Sequence, residues 1–417
     1  MKSVAYSTLK IALGALMIVC ASLAAEAQTL KVPAGFKTSI VADNLGKARH
    51  IALTKKGDLY VKLARPVNGK GILFLKDKDG DGKYDETSGF GSYGGTGIYL
   101  KDNYLYASSD EEVFRYELDE NQAVVKPESP EKIVKGLIAR NQHETKSIVL
   151  DNSANIYVTI GAYSNSCQVQ DRRQGSPGRP GCPILDSAGG VWQFKSDRLN
   201  QSYGEGIRYA TGLRNVVGLD WNSQDKSLYV MQHGRDQLSM FPDLFSSEQS
   251  AELPSECMFK IIKNDDAGWP YIYYDHIQKK NILAPEYGGD GKKEGDTKYI
   301  KPVVGFPAHL APNGLLFYTG EQFPAKYKNG AFIAFHGSWN RSPQAQEGYY
   351  VAFVPFKNGA PSGDWEIFAE GFAGVEVVNS PRQAQHRPCG LAQGPDGSLF
   401  VSDDVKGTIY KISYTKN

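Results

Sequence analysis

Three residues of reactive type stand directly in front of short apolar runs. His143 lies in Arg140-Asn141-Gln142-His143-Glu144-Thr145-Lys146, ahead of Ser147 to Leu150. Arg214 lies in Thr211-Gly212-Leu213-Arg214-Asn215, ahead of Val216 to Leu219. Arg387 lies in His386-Arg387-Pro388-Cys389, ahead of Gly390 to Ala392. A neutral imidazole can take a proton near pH 7, so His143 is a candidate general base; the other reading is a hydrogen-bonded structural histidine. A guanidinium presents a planar fork to a carboxylate or to an oxygen that gains negative charge, so Arg214 and Arg387 are candidate anion-holding groups; the other reading is a structural ion pair. The same relative position, repeated three times, is what groups them.

Two further segments could hold a cation. Gln232-His233-Gly234-Arg235-Asp236 follows an apolar run ending at Met231. Glycine lets a main chain approach a ligand, and exposed carbonyls in such a turn suit a hard cation such as calcium; a plain turn is the alternative. Asp77, Asp79 and Asp81 alternate in Asp77-Lys78-Asp79-Gly80-Asp81-Gly82, like the first half of a calcium loop. The twelfth position is Ser88, so the closing bidentate carboxylate is missing and a charged hairpin tip is the alternative.

Something must carry these residues to one place. An apolar strand, a turn with Gly, Asn or Asp and a second strand with an aromatic residue recur six times. The copies pair residues 51–53 with 59–61, 98–100 with 105–107, 148–150 with 156–158, 217–219 with 228–230, 314–317 with 331–333, and 390–392 with 399–401. Six hairpins at irregular spacings of roughly 50 to 100 residues predict an all-β, six-bladed propeller with long insertions, against the alternative of a sandwich with accidental repeats. Residues 35–41 and 407–414 read as the first and last strands, and pairing them in one blade closes the ring and hides the sheet edges. Residues starting the innermost strands then converge on the central channel. The stretches 167–183 and 281–301 read as loops, and no linker is visible, so residues 28–417 are expected to form a single domain.

Lys2, Lys10, an apolar run from Ile11 to Ala25 and Ala25-Glu26-Ala27 read as a signal peptide over residues 1–27. The expected location is the periplasm or the outside of the cell, with no membrane insertion after cleavage. Taking Lys2, Lys10 and Glu26 away from 47 basic and 46 acidic residues leaves 45 of each, which gives no attraction to nucleic acid or to an anionic membrane. Four cysteines remain, in a compartment where disulfides persist. Cys167 and Cys182 flank a Gly/Pro/Arg-rich loop and are the natural first pair, with Cys257 and Cys389 left over. Nucleotide-binding glycine loops, a nucleophile elbow, zinc spacing among the seven histidines and a haem-attachment motif are all missing from the sequence.

From about Ala48 to Tyr414 the sequence resembles the pyrroloquinoline quinone (PQQ)-dependent glucose/sorbosone dehydrogenase family, the soluble quinoprotein aldose sugar dehydrogenases. The segments carrying the resemblance are Gln142-His143, Gly212 to Leu219, Gly268-Trp269-Pro270-Tyr271, His336 to Ser342 and Arg387 to Ala392. The resemblance implies PQQ and Ca2+ as cofactors, a sugar or related aldehyde (sorbosone-like) as substrate, hydride transfer to the quinone and an external electron acceptor. It implies that His143 is the catalytic base, that Arg214 stands beside the quinone carbonyl and that Asn215 binds the cofactor. Gly234 and Arg235 match positions whose carbonyls hold the cofactor calcium. Arg387 matches a cation on a cofactor carboxylate, and Arg341 falls roughly where a lysine does that work. Gln142 replaces an aspartate near the sugar. Two other classes remain open at this point: a calcium-dependent lactonase-type propeller, which would want several carboxylates around a central metal, and a non-catalytic binding propeller.

Overall fold

Each hairpin in this chain has apolar residues on both faces of its strands, so neither face can be left to water. In the computed structural model, which describes Met1 and residues 30–415, the solution is a ring of six radial sheets. Apart from Met1, the signal peptide expected over residues 1–27 lies outside the described residues.

The innermost strands are Ala48–Leu53, Ile98–Lys101, Ile148–Leu150, Val216–Asn222, Pro312–Phe317 and Pro388–Gln393, in blades 1 to 6. They neighbour one another in that order around the axis, and the sixth returns to the first. All six predicted hairpins are present with the expected partners: Ile51 faces Val61, Tyr99 faces Tyr106, Val149 faces Tyr157, Leu219 faces Val230, Leu315 faces Ile333 and Leu391 faces Val401. The ring closes as expected. Phe36–Ala42 is the outer strand of blade 6 and runs antiparallel to Ile409–Tyr414, with Phe36 opposite Tyr414 and Ile40 opposite Tyr410.

Strand periodicity explains the core. Successive side chains point to opposite faces, so each second strand feeds two different junctions. Its aromatic residue always enters the junction with the following blade: Tyr60 between blades 1 and 2, Tyr106 between 2 and 3, Tyr157 between 3 and 4, Tyr229 between 4 and 5, Phe332 between 5 and 6, and Phe400 between 6 and 1. The neighbours of these aromatics, such as Leu59 and Val61 or Leu228 and Val230, fill the preceding junction. Truncating one of these aromatics to alanine would cost about 3–5 kcal/mol.

Blade 4 carries two long insertions. The one between Ser227–Gln232 and Glu256–Ile261 holds the short helix Ser247–Glu252, and the one between Glu256–Ile261 and Val304–Phe306 holds a two-stranded ribbon pairing Ile272–Asp275 with Lys280–Leu283. Part of the expected loop over 281–301 is therefore strand. The reason is that Tyr273 and Ile282 are needed to cover Leu238, Phe245 and Leu253 in a small apolar core. Cys167 and Cys182 form the expected disulfide, with 15 residues between them in sequence separation. Cys257 and Cys389 are buried thiols on different blades and are not bonded.

Candidate active site

The starts of the inner strands of blades 3, 4 and 5 surround a cavity of about 300 Å³. Gln142, His143, Arg214, Asn215 and Gly234 line it, joined by Arg172, His233, Asp236, Glu256, His309, Ala311, Trp339 and Asn340.

Two glycines make this convergence sterically feasible. Gly212 has φ of +70°, and a Cβ there would come within 2.1 Å of Asp266 Oδ1. It bends the chain so that Leu213 N–H reaches the Gly189 carbonyl at 3.0 Å and Arg214 is delivered to the cavity. Gly161 follows the second strand of blade 3. A Cβ on it would lie 2.5 Å from His143 Cβ and 3.2 Å from Asn215 Oδ1, so only glycine lets the strand end pass against both residues.

His143 itself is left-handed, with φ of +54°. Its Nδ1 bonds the Ala162 carbonyl, and Ala162 N–H in turn bonds the Arg214 carbonyl at 2.8 Å. A carbonyl can only accept, so Nδ1 carries the proton and Nε2 keeps its lone pair. Burial, reinforced by the Arg214 charge, pushes the His143 imidazole down to about 3. The group is therefore neutral across the physiological range. His233 is held neutral in the same way, at about 3.

Arg214 is buried, and four of its five N–H groups are engaged. Nε donates to the Asn165 carbonyl at 3.1 Å, Nη1 to the Gly234 carbonyl at 3.0 Å, and Nη2 to Asn165 Oδ1 at 3.1 Å and Asp236 Oδ2 at 2.8 Å. Asp236 is the hub of the site. Its Oδ2 also accepts from Arg172 Nη2 at 2.9 Å and its Oδ1 from Asn340 at 2.9 Å. Burial alone would raise this carboxyl, but Arg214 and Arg172 override it and hold Asp236 well below the usual carboxylate range. Glu256 is different. Burial pushes it up to about 8, outweighing its hydrogen bond from Gly234 N–H at 2.9 Å and the Arg214 charge, which lower it.

Sequence reasoning missed Asp236, Asn165, Arg172, Glu256, His309, Trp339 and Asn340. Asp236 and His233 stood in a segment already singled out for its backbone, and Trp339 and Asn340 in one singled out by resemblance. Arg172 arrives on the loop closed by the disulfide and Asn165 two residues before it, and no local pattern marks them.

Two expected cofactor cations, Arg341 and Arg387, are not among the residues lining this cavity. Arg341 is buried against Glu252 at 2.8 Å, Glu347 at 3.2 Å and the Ala251 carbonyl at the end of the short helix. Arg387 donates to the carbonyls of His336, Gly337 and Ser338 and lies over the Tyr349 ring. Both brace the loop that carries Trp339, and neither lines the cavity. The Arg235 side chain also points away, paired with Glu286 at 2.8 Å, so only its backbone can face a cation. Asp77, Asp79 and Asp81 cluster on the hairpin tip between the outer strands of blade 1, away from the cavity, with Gly80 and Gly82 N–H groups bonded to Asp77 at 2.8 and 2.9 Å.

Fold and site together define a propeller enzyme scaffold with an imidazole and a fixed guanidinium facing one cavity. The family model described as TrAA12-like matches residues 30–269 and 279–415, and the chain belongs to this family. An uncharacterized protein of Borreliella burgdorferi is 27% identical over 96% of this chain and 95% of its own length. The PQQ-dependent pyranose dehydrogenase of Coprinopsis cinerea is 25% identical over 57% of this chain and 36% of its own length. The holo form of its PQQ domain superposes with a TM-score of 0.71 at 20% identity, covering 93% of this chain and 97% of that one. A Trichoderma reesei structure of carbohydrate-active enzyme family AA12 reaches a TM-score of 0.76 at 18% identity, covering 93% and 98%.

Proposed function

We propose that this protein is a PQQ-dependent dehydrogenase that oxidises an aldose or a related sugar or aldehyde and passes the electrons to an external acceptor. The observation that carries the reading is the pairing, across one cavity, of the neutral His143 imidazole with the immobilised Arg214 guanidinium. The family membership and the named activity of the Coprinopsis cinerea relative support it.

The residues suit such a cofactor. PQQ, when bound, supplies an ortho-quinone that accepts a hydride, and it brings three carboxylates. The cavity offers cationic donors, a 55% exposed Trp339 ring able to stack on a flat ring system, and Asn215 on its wall. In this reading His143 Nε2 receives the proton of the sugar hydroxyl, which its neutrality permits. Arg214 needs no reorganisation to stabilise negative charge, because four hydrogen bonds already fix it. Gln142, bonded to Asp171 at 2.8 Å, stands at the mouth as the substrate-side amide. The Gly234 and Arg235 carbonyls are the proposed calcium ligands. The Gly234 carbonyl now accepts from Arg214, so a calcium ion there would have to share or replace that contact.

A lactonase-type site is less well supported. Among the described residues the only group of metal-ligating side chains is Asp77, Asp79 and Asp81, on the outer hairpin of blade 1. A non-catalytic propeller leaves the paired His143 and Arg214 without a role. The buried disulfide supports an exported, periplasmic or secreted protein, and among the described residues no helix is long and apolar enough to cross a membrane. Residues 28–417 are proposed to act as one unit.

Reconstitution tests the reading. Protein mixed with PQQ and Ca2+ should reduce an artificial dye in the presence of an aldose, and protein without PQQ should not. No turnover across a panel of aldoses and sugar aldehydes, at saturating PQQ, would remove the proposed reaction.

A further inference from the structure

We propose that Arg172, on the loop closed by Cys167 and Cys182, is the residue with which this cavity grips a carboxylate. The proposal rests on the functional reading above for its choice of ligands, but its geometry stands by itself.

Arg214 spends four of its five N–H groups on acceptors fixed by the fold, which leaves a single Nη1–H for a ligand. Arg172 is different. Its Nη2 bonds Asp236 at 2.9 Å, but Nη1 holds only the neutral Gln237 amide oxygen at 3.2 Å, and the second Nη2 contact, to Gln142 Oε1, is 3.4 Å long. Exchanging a neutral amide oxygen for a carboxylate gains a charge-assisted bond, roughly twice as strong, and breaks no ion pair. Accessibility agrees: the Arg172 side chain is 29% exposed, against 4% for Arg214. Arg172 and Arg214 share the Asp236 carboxylate at the cavity wall, and Asp171, whose oxygens accept from Ser164, Asn165 N–H and Gln142, pairs with Arg172 Nε at 3.9 Å. These two carboxylates balance the two guanidinium groups, so the grip rests on the loosely held Nη donors of Arg172 that face the cavity.

The carboxylate could belong to PQQ or to an acidic sugar, and two arms of one experiment separate them. Wild type, Arg172→Gln and Arg172→Lys are each titrated with PQQ, and separately with D-glucuronate and D-glucose, by calorimetry. Loss of a charge-assisted fork should weaken the relevant carboxylate roughly 10- to 100-fold in Arg172→Gln, with the lysine variant intermediate and glucose unchanged. Weakened PQQ with unchanged glucuronate assigns the cofactor; a collapsed preference for glucuronate over glucose assigns the substrate. If wild type takes up no PQQ, the redox reading falls while the glucuronate arm still judges Arg172. Binding of both carboxylates within threefold of wild type in Arg172→Gln would overturn the proposal.

Discussion

The carboxylate of Asp236 lies 2.8 Å from the buried guanidinium of Arg214, and through it the disulfide loop, blade 4 and the Trp339 loop are tied together. Breaking one side of a buried pair leaves an uncompensated charge. Asp236→Asn should therefore destabilise the fold by about 3–5 kcal/mol in urea unfolding, far more than a surface pair would. A loss under 1 kcal/mol would show that Arg214 does not depend on Asp236.

His143→Gln should leave the fold and PQQ uptake intact and lower turnover about 10²- to 10⁴-fold, the usual worth of a positioned base. The fixed Nδ1–H tautomer and the low affinity of the ring for a proton also predict that His143 does not titrate between pH 5 and 8 in a nitrogen-detected NMR titration. Turnover within threefold of wild type, or a midpoint near 6.5, would return His143 to a structural role.

Replacing Cys167 and Cys182 together by serine opens a 15-residue loop, which costs about 3 kcal/mol in the chain-entropy model. Because Arg172 rides on this segment and Asn165 directly precedes it, the loss should extend to the cavity as weaker PQQ binding. Peptide mapping without reductant checks the bond itself. Two free thiols in the wild-type protein would contradict it.

Asp220 lies beside a second, narrower cavity in the channel lined by Leu53, Leu100 and Leu316, and accepts from the Trp221 and Phe317 N–H groups. Burial pushes its carboxyl up to about 7 from 3.8. Between those values the folded chain holds a proton that the unfolded chain releases. The stability it contributes is complete below the lower value and fades as pH rises through the upper one. Asp220→Asn should remove this fade, so wild-type stability minus that of the variant should fall from pH 5 to pH 8. A rise in that difference over the range would contradict the argument.

Much of the architecture was readable in the sequence because it follows from strand periodicity. Leu228-Tyr229-Val230 must feed two opposite faces, and six such units need a ring. The disulfide and the closing strands were readable for similar local reasons. The site was readable only in part. Arg214 reaches the cavity through the turn at Gly212, and His143 sits there because Gly161 leaves room for it against the end of the second strand of blade 3. Arg387 occupies a comparable place in the sequence, yet the His336, Gly337 and Ser338 carbonyls hold its fork. Asn165 and Arg172 depend on how the disulfide loop folds back over the channel mouth, which is tertiary information.

The most direct test of the central claim is an equilibrium titration of the protein with PQQ in the presence of Ca2+, followed by quinone absorbance and tryptophan fluorescence. The account predicts saturation at one PQQ per chain, quenching that is lost when Trp339 is replaced by leucine, and binding severely weakened by Arg214→Ala. No saturable binding, or saturable binding unchanged by Arg214→Ala, would contradict the assignment of this cavity as the cofactor site.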